Sequence, residues 1–210
     1  MYLPPAFAED RLEVKHGLIH TYPLGTLIVQ TEEGPTADLI PFLLYPDEGE
    51  HGVLRAHVAR ANPVWKALGE GAPVLVVFQG PEAYITPNWY EVKRTTGKAV
   101  PTWNYAMVQV RGTARAVEDG AWLRRLLDDL TQAHERRMPQ PWAVSDAPAE
   151  YIATMMRAIV GIELPIASIK GKWKVSQNRE MADRASIAAG LREREAADMA
   201  ALVEERIRPG

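Results

Sequence analysis

Apolar residues alternate with polar ones, or run continuously with many β-branched members, in six stretches of the chain. This pattern is typical of strands with at least one buried face. The six stretches are Leu24 to Thr31, Thr36 to Tyr45, Gly52 to Val58, Val74 to Thr86, Tyr105 to Val117 and Ile159 to Ile169. Six strands in this order predict a mainly β (α+β) protein built around an antiparallel barrel.

The loop between the first two predicted strands has the residues of a tight turn. It reads Glu32-Glu33-Gly34-Pro35. Gly34 is free to adopt a positive φ, and Pro35 cannot donate a hydrogen bond to a central ladder. This loop therefore predicts an antiparallel hairpin.

Apolar residues spaced by three and four positions predict helices beside the barrel. One such run follows Asp119, a candidate N-cap, and carries charged residues on its opposite side. A second run begins near Asp146 with Pro148 in its first turn. We expect both to be amphipathic helices on the flank of the barrel.

The segment from Asn178 to Arg208 is rich in Ala, Glu and Arg, and Gly190 interrupts it, which predicts two consecutive helices. Its apolar stripe comprises Met199, Leu202, Val203 and Ile207. Nearly balanced charge favours a solvated helix docked on the body or on a second subunit over an arm that binds DNA or protein. We expect a barrel domain with inserted helices over residues 1–178 and a helical C-terminal extension over 179–210.

Composition narrows the classes of function. The 210 residues include no cysteine, which excludes disulfides, thiolate zinc sites and cysteine nucleophiles. The N-terminus has no signal-peptide pattern, and no stretch approaches the ~20 apolar residues of a membrane span, so we expect a cytoplasmic protein. With 24 Lys and Arg against 27 Asp and Glu, the net charge is -3, so nucleic acid is not the first partner indicated.

Common catalytic and metal-binding patterns are missing. Gly69-Glu70-Gly71 begins like a dinucleotide loop, but Pro73 follows and the second half is absent, which predicts a turn before a strand. The chain has neither a G-K-[ST] phosphate loop nor a G-x-S-x-G elbow. His16 and His20 lie one helical turn apart without a third ligand, which favours an exposed helix face over a metal site. We assign no catalytic residue and no metal ligand.

The stretch from Arg55 to Lys66 combines cations, a histidine and no acid. A strand end that runs into a short helix after Asn62 would gather Arg60, the Asn62 amide and helical N–H groups around one phosphate. A solvated basic turn is the alternative.

The stretch from Phe78 to Tyr90 carries Gly80-Pro81 within an apolar run, which predicts a bulge where a ligand can approach the backbone. Gln79 offers a donor and an acceptor there. Tyr84, Trp89 and Tyr90 either form a wall for a flat ring or pack in the fold.

Two further stretches, Val100 to Tyr105 and Gly171 to Arg179, each place a tryptophan among polar residues in a predicted loop. Such a tryptophan is costly to expose without a binding role. Cationic residues in the second stretch are Lys172, Lys174 and Arg179. A phosphate, a flavin ring with its carbonyls, or another subunit would each use this set.

Taken together, these segments resemble the PaiB-type FMN-binding negative transcriptional regulators. The matching strings are His57 to Trp65 (HVARANPVW), Phe78 to Tyr90 (FQGPEAYITPNWY), Val100 to Tyr105 (VPTWNY), Gly161 to Pro165 (GIELP) and Gly171 to Arg179 (GKWKVSQNR), with Met1-Tyr2-Leu3-Pro4 and Phe7 at the start. The resemblance runs in order from the N-terminus to about Leu191.

The resemblance implies the antiparallel FMN-binding split barrel shared with pyridoxamine phosphate oxidase, general stress flavoproteins and some haem-binding relatives. It implies a homodimer with two flavin sites at the subunit interface. It implies that His57, Arg60 and Asn62 lie on the phosphate side of the flavin. On the ring side it implies Gln79, Tyr84, Trp89 and Trp103, with Lys172, Trp173 and Lys174 supplied by the other subunit.

We therefore expect an FMN-binding protein that acts as a negative transcriptional regulator or a redox sensor, with a flavin-dependent oxidoreductase activity left open. One alternative is a regulator that contacts DNA or another regulator without flavin, through cationic loops around Arg60, Lys93, Arg94 and Lys172. The other is haem binding, with His57 or another histidine on the iron.

Overall fold

The computed structural model describes residues 1–206, and within that range the chain forms eight strands and seven α-helices. The strands are β1 (Ala8–Glu9), β2 (Leu24–Thr31), β3 (Gly34–Pro41), β4 (Leu43–Tyr45), β5 (Val53–Ala59), β6 (Ala72–Ile85), β7 (Thr102–Val117) and β8 (Ile159–Lys174). The helices are α1 (Leu12–Thr21), α2 (Val64–Leu68), α3 (Glu91–Thr96), α4 (Gly120–Glu135), α5 (Ala149–Arg157), α6 (Met181–Glu193) and α7 (Ala197–Glu205). Ile207 and Arg208 of the predicted tail lie outside the described residues.

The strands join in the order β3-β2-β6-β7-β8-β5-β4, and β1 pairs with β8. The ladders of β1 with β8, β2 with β3, β2 with β6, β4 with β5, and β5 with β8 are antiparallel. An antiparallel sheet accompanied by helices confirms the predicted fold class.

The described part of the chain divides into two compact units. The first unit comprises Met1–Thr21, Gln79–Gln109 and the described residues from Lys170 onwards, and the second comprises Tyr22–Phe78 and Val110–Ile169. Strands β6, β7 and β8 contribute residues to both units.

In the second unit, the predicted hairpin is present. Thr31 pairs with Gly34 across a turn of Glu32 and Glu33, and Gly34 has a φ of 113°. That value lies in the region that glycine tolerates without a steric penalty. The hairpin and the role of Gly34 are therefore confirmed.

The second predicted strand, Thr36 to Tyr45, is two strands rather than one. β3 pairs with β2 and ends at Pro41, whereas β4 pairs with β5. The N–H of Phe42, between them, donates to the carbonyl oxygen of Pro23 at 2.9 Å. Because Pro41 has no N–H to donate, the chain changes its pairing partner at this position.

The core of the second unit is built on inward-facing strand residues. The rings of Phe42 and Phe78 meet edge to face with centroids 5.8 Å apart. Gly25 lies against this pair, because a Cβ on it would be 2.7 Å from Cε1 of Phe78. Fully buried aliphatic side chains include Leu27, Leu54, Val76, Ile162 and Leu164. Each such side chain stabilises the fold by roughly 1.5–3 kcal/mol relative to an exposed one.

Helix α4 is the predicted amphipathic helix. Asp119 caps it by accepting a hydrogen bond from the Trp122 N–H at 2.7 Å. Leu123, Leu126 and Leu130 are its buried residues. The other predicted helix, α5, begins at Ala149, after a 3-10 turn at Val144–Asp146.

In the first unit, the tail forms two helices as predicted, but the break lies elsewhere. Gly190 is buried inside α6, and the chain turns at Glu195, whose φ is 60°. Gly190 is needed for packing, because a Cβ on it would be 2.3 Å from the Trp89 ring. The prediction of a break at Gly190 was wrong for this reason.

Candidate functional site

Trp103 and Trp173, predicted to lie in loops, are on strands of the first unit. β7 begins at Thr102 and β8 continues to Lys174. Trp173 is buried, with 4% of its surface exposed, whereas Trp103 is 53% exposed. Trp173 therefore belongs to the core, and Trp103 is available to a ligand.

One side of these strands carries what we call the lysine–aromatic face, which comprises Tyr84 on β6, Trp103 and Tyr105 on β7, and Lys172 and Lys174 on β8. The rings of Tyr84 and Trp103 meet edge to face with centroids 5.9 Å apart. The Lys172 Nζ lies 5.3 Å from the centroid of the Tyr105 ring. Four of the predicted site residues, Tyr84, Trp103, Lys172 and Lys174, thus lie on one face of the first unit.

Lys174 is held in place by neutral acceptors. Its Nζ donates to the Trp103 carbonyl oxygen at 2.5 Å and to the Thr102 hydroxyl oxygen. Burial lowers the pKa of Lys174, and the charges of Lys172 and Arg179 lower it further. An ammonium in this setting favours a nearby anion or carbonyl oxygen.

Buried hydrogen bonds join Asn104, which lies between Trp103 and Tyr105 on β7, to Ser176. The Asn104 amide donates to the Ser176 hydroxyl oxygen at 2.9 Å, and both residues are buried. Ser176 has a φ of 64°. Sequence analysis missed Thr102, Asn104 and Ser176, although Asn104 lies within the quoted VPTWNY string and Ser176 within GKWKVSQNR.

Gln79 and Trp89, also in the first unit, make other contacts. The Gln79 amide donates to a Glu82 carboxylate oxygen at 2.6 Å. Trp89 lies in a 3-10 turn and packs against Gly190, with the Arg194 guanidinium 5.5 Å from its ring centroid. Trp89 thereby joins its turn to α6.

The predicted phosphate-side residues His57, Arg60 and Asn62 all lie in the second unit. His57 is on β5, where it pairs with Gly161 of β8. Its Nδ1 atom is buried and has no hydrogen-bond partner. Burial lowers the pKa of this imidazole. A buried nitrogen without a partner is uncommon and marks His57 as a candidate for contact with a ligand.

Arg60 follows β5, and its guanidinium makes several internal hydrogen bonds. It donates to a Glu118 carboxylate oxygen at 2.5 Å, to the Arg157 carbonyl oxygen at 2.9 Å and to the Ile159 carbonyl oxygen at 3.2 Å. The Trp65 indole N–H in turn donates to the Arg60 carbonyl oxygen at 2.9 Å. Arg60 therefore ties the end of β5 to the start of β8.

Asn62 begins the turn into α2. Its side-chain oxygen accepts the Val64 N–H at 2.9 Å, and its amide donates to an Asp38 carboxylate oxygen at 3.1 Å. Asn62 and Asp38 line an open groove of about 920 Å³, together with Glu32, Glu33 and Lys66 among others. Three of these residues are acids and one is a base. The groove is therefore less favourable to a bound anion than the sequence pattern predicted.

Two further features bear on the class of site. Across residues 1–206, His, Cys, Asp and Glu side chains form no group of three or more that could hold a metal ion. None of the helices in this range is long and apolar enough to cross a membrane.

The architecture is that of the split-barrel flavoproteins. It is similar to the solved structure of the FAD and haem binding protein from Mycobacterium smegmatis, with a TM-score of 0.56 and 19% sequence identity over 80% of this chain and 73% of that one. Residues 1–168 match the family described as "Putative FMN-binding domain", and the chain belongs to that family.

Two relatives are similar to nearly the whole chain. An uncharacterised protein from Emericella nidulans is 35% identical over an alignment of 227 positions, which covers 91% of this chain and 90% of the relative. The "Protease synthase and sporulation protein PAI 2" of Bacillus subtilis is 30% identical over an alignment of 212 positions, which covers 99% of each chain. The resemblance to PaiB-type proteins is therefore confirmed.

Proposed function

We propose that this chain is a homodimeric FMN-binding protein that acts as a negative transcriptional regulator or a redox sensor. The observation that carries the proposal is the lysine–aromatic face, where the exposed Tyr84 and Trp103 rings adjoin the Lys174 ammonium. A flavin ring needs flat apolar surfaces for its faces and hydrogen-bond donors for its carbonyl edge.

The residues present fit these needs. Tyr84 and Trp103 would contact the ring, and Lys174 would face its polar edge. In the second unit, His57, whose Nδ1 has no partner, and Arg60 and Asn62, which follow it in the sequence, are our candidates for a contact with a phosphate. When bound, the flavin supplies the electron-transfer chemistry, while the protein binds it and sets its electrostatics.

Two similarities support the cofactor and the regulatory role. The chain belongs to a family described by FMN binding, which supports FMN as the cofactor. The name of the Bacillus subtilis relative refers to protease synthase and sporulation, which supports a role in regulation.

A titration of the purified chain with FMN, followed by the quenching of flavin fluorescence, tests the proposal. We expect Trp103→Ala to weaken FMN binding about tenfold or more, because stacking of a base on an aromatic ring contributes about 1–3 kcal/mol. Trp142→Ala is the matched control, because Trp142 is also an exposed tryptophan and belongs to the second unit. An equal effect of both substitutions would remove Trp103 from the site.

Riboflavin and FAD complete the titration. Riboflavin lacks the phosphate, so weaker binding of riboflavin than of FMN is expected if a phosphate site exists. Sedimentation of the FMN-loaded chain tests the proposed homodimer.

A further inference from the structure

The Lys174 side chain carries a positive charge without a carboxylate partner. Its two hydrogen-bond acceptors, the Thr102 hydroxyl and the Trp103 carbonyl, are both neutral. None of the ion pairs found among residues 1–206 includes it. A half-buried ammonium with neutral partners recovers only part of the hydration that it has lost.

Neighbouring cations add to this positive potential. Lys172 is buried, and its Nζ donates to the Tyr2 carbonyl oxygen at 3.2 Å, again a neutral acceptor. Arg179 lies with its guanidinium 4.9 Å from the centroid of the Tyr90 ring. Lys174 therefore stands in a positive local field with no anion to balance it, so an anion bound beside it would be strongly stabilised.

The position of Lys174 points to the ring of the flavin rather than to its phosphate. Its Nζ is bonded to the backbone of Trp103, whose side chain is exposed and contacts Tyr84. In the proposed site this aromatic pair would contact the flavin ring, and the ammonium is hydrogen-bonded to the backbone of one of its two members. Charge near a flavin ring is one of the means by which a protein changes the electronic properties of the cofactor.

We propose that Lys174 makes the chain bind reduced FMN more tightly than oxidised FMN. This inference rests on the proposed function. Reduction adds two electrons and one proton to the flavin ring, so at neutral pH the ring gains one negative charge. The ammonium of Lys174 stabilises that charge, and Lys174 thus selects the redox state of the bound cofactor.

The test compares the full-length wild-type chain with Lys174→Met, Lys174→Arg and Lys170→Met. Lys170→Met is the matched control, because Lys170 is exposed on the same strand and its loss changes the net charge equally. Dissociation constants are measured for oxidised FMN and, under anaerobic conditions with dithionite, for reduced FMN. The reduction potential of the bound flavin is measured separately by equilibration with a reference dye.

We expect Lys174→Met to weaken the binding of reduced FMN about tenfold more than that of oxidised FMN. For a two-electron couple, this ratio makes the reduction potential about 30 mV more negative. Lys174→Arg should keep most of the preference, and Lys170→Met should leave it unchanged.

An equal loss of affinity for both redox states, with an unchanged potential, would overturn the role of Lys174 while leaving FMN binding intact. A wild-type chain that binds neither state would overturn the proposed function, and this inference with it. A Lys170→Met potential that shifts as far as that of Lys174→Met would also overturn it, because net charge alone would then account for the effect.

Discussion

The indole ring of Trp89 lies directly against Gly190, in the middle of α6. A Cβ at position 190 would be 2.3 Å from Cε2 of the indole ring and 2.4 Å from its Nε1. No real Cβ contact is that short, so either the ring or the helix must move to accept a side chain. The 3-10 turn that carries Trp89 is thereby packed against α6.

Gly190→Ala is expected to destabilise the protein by up to about 2 kcal/mol. Overpacking against the ring costs about 1–3 kcal/mol, and the better helix propensity of alanine returns about 1 kcal/mol. Urea denaturation measures the difference. Gly17→Ala in α1 is the control, because a Cβ at Gly17 has nothing within 4 Å and should stabilise the helix. A stable Gly190→Ala variant would show that the ring can move freely.

The contacts of the Glu9 carboxylate lead us to expect that the protein loses stability in acid. It is buried, and Arg11 and Arg206 both donate to its carboxylate. Burial alone would raise the pKa of Glu9, but these hydrogen bonds lower it from 4.5 to about 2. A lowered folded-state pKa stabilises the protein above the unfolded-state pKa, and that stability is lost as the pH falls from about 4.5 to about 2.

Glu9→Gln should therefore remove part of the acid sensitivity. At pH 7 the variant should be less stable by about 2 kcal/mol, because hydrogen bonds to charged groups contribute about 1.5–3 kcal/mol. The difference between variant and wild type should shrink toward pH 2. Thermal unfolding across this pH range measures it, and parallel curves for the two proteins would contradict the prediction.

Substitutions at and beside Arg60 test whether this residue binds the FMN phosphate or only holds the fold together. Its guanidinium bonds Glu118 on one side and two backbone carbonyls on the other. If Arg60 also holds the FMN phosphate, Glu118→Gln should leave FMN binding equal or tighter, because a competing carboxylate is removed. Arg60→Ala should then weaken FMN at least tenfold more than riboflavin. Equal losses for both ligands would leave Arg60 with only its structural role.

The buried pair of Asn104 and Ser176 supports the lysine–aromatic face. Ser176→Ala keeps the positive φ but leaves the Asn104 amide buried without its partner, which costs about 1–3 kcal/mol. Ser176→Gly loses the same hydrogen bond but fits the positive φ, so it should be the less destabilised variant. Chemical denaturation ranks the two, and the reverse order would contradict this account.

Much of the fold could be predicted from the sequence, because a strand with one buried face alternates apolar and polar residues within its own few positions. The prediction of Leu24 to Thr31 matches β2 at both ends, and the Asp119 cap matches α4. The break at Phe42 was missed because apolar residues continue on both sides of Pro41. Only the change of pairing partner, from β2 to β5, separates the two strands.

The chemistry of the candidate site could be predicted in part. Tyr84, Trp103 and Lys174 were identified from residue type. They lie together because β6, β7 and β8 are neighbours in the sheet, and a local sequence pattern does not show which strands are neighbours. Trp173 was assigned to a loop because lysines flank it, whereas those lysines occupy the opposite face of the same strand. Gly190 was interpreted as a helix breaker because its partner, Trp89, is distant in sequence.

The most direct test of the account is the visible absorption spectrum of the chain after it has been mixed with excess FMN and passed through gel filtration. We predict flavin bands that elute with the protein at about one FMN per chain, and that are much reduced in Trp103→Ala but not in Trp142→Ala. A protein peak without flavin absorbance, from a chain that is folded by circular dichroism, would contradict the central claim. A Soret band in the protein as isolated would instead favour haem.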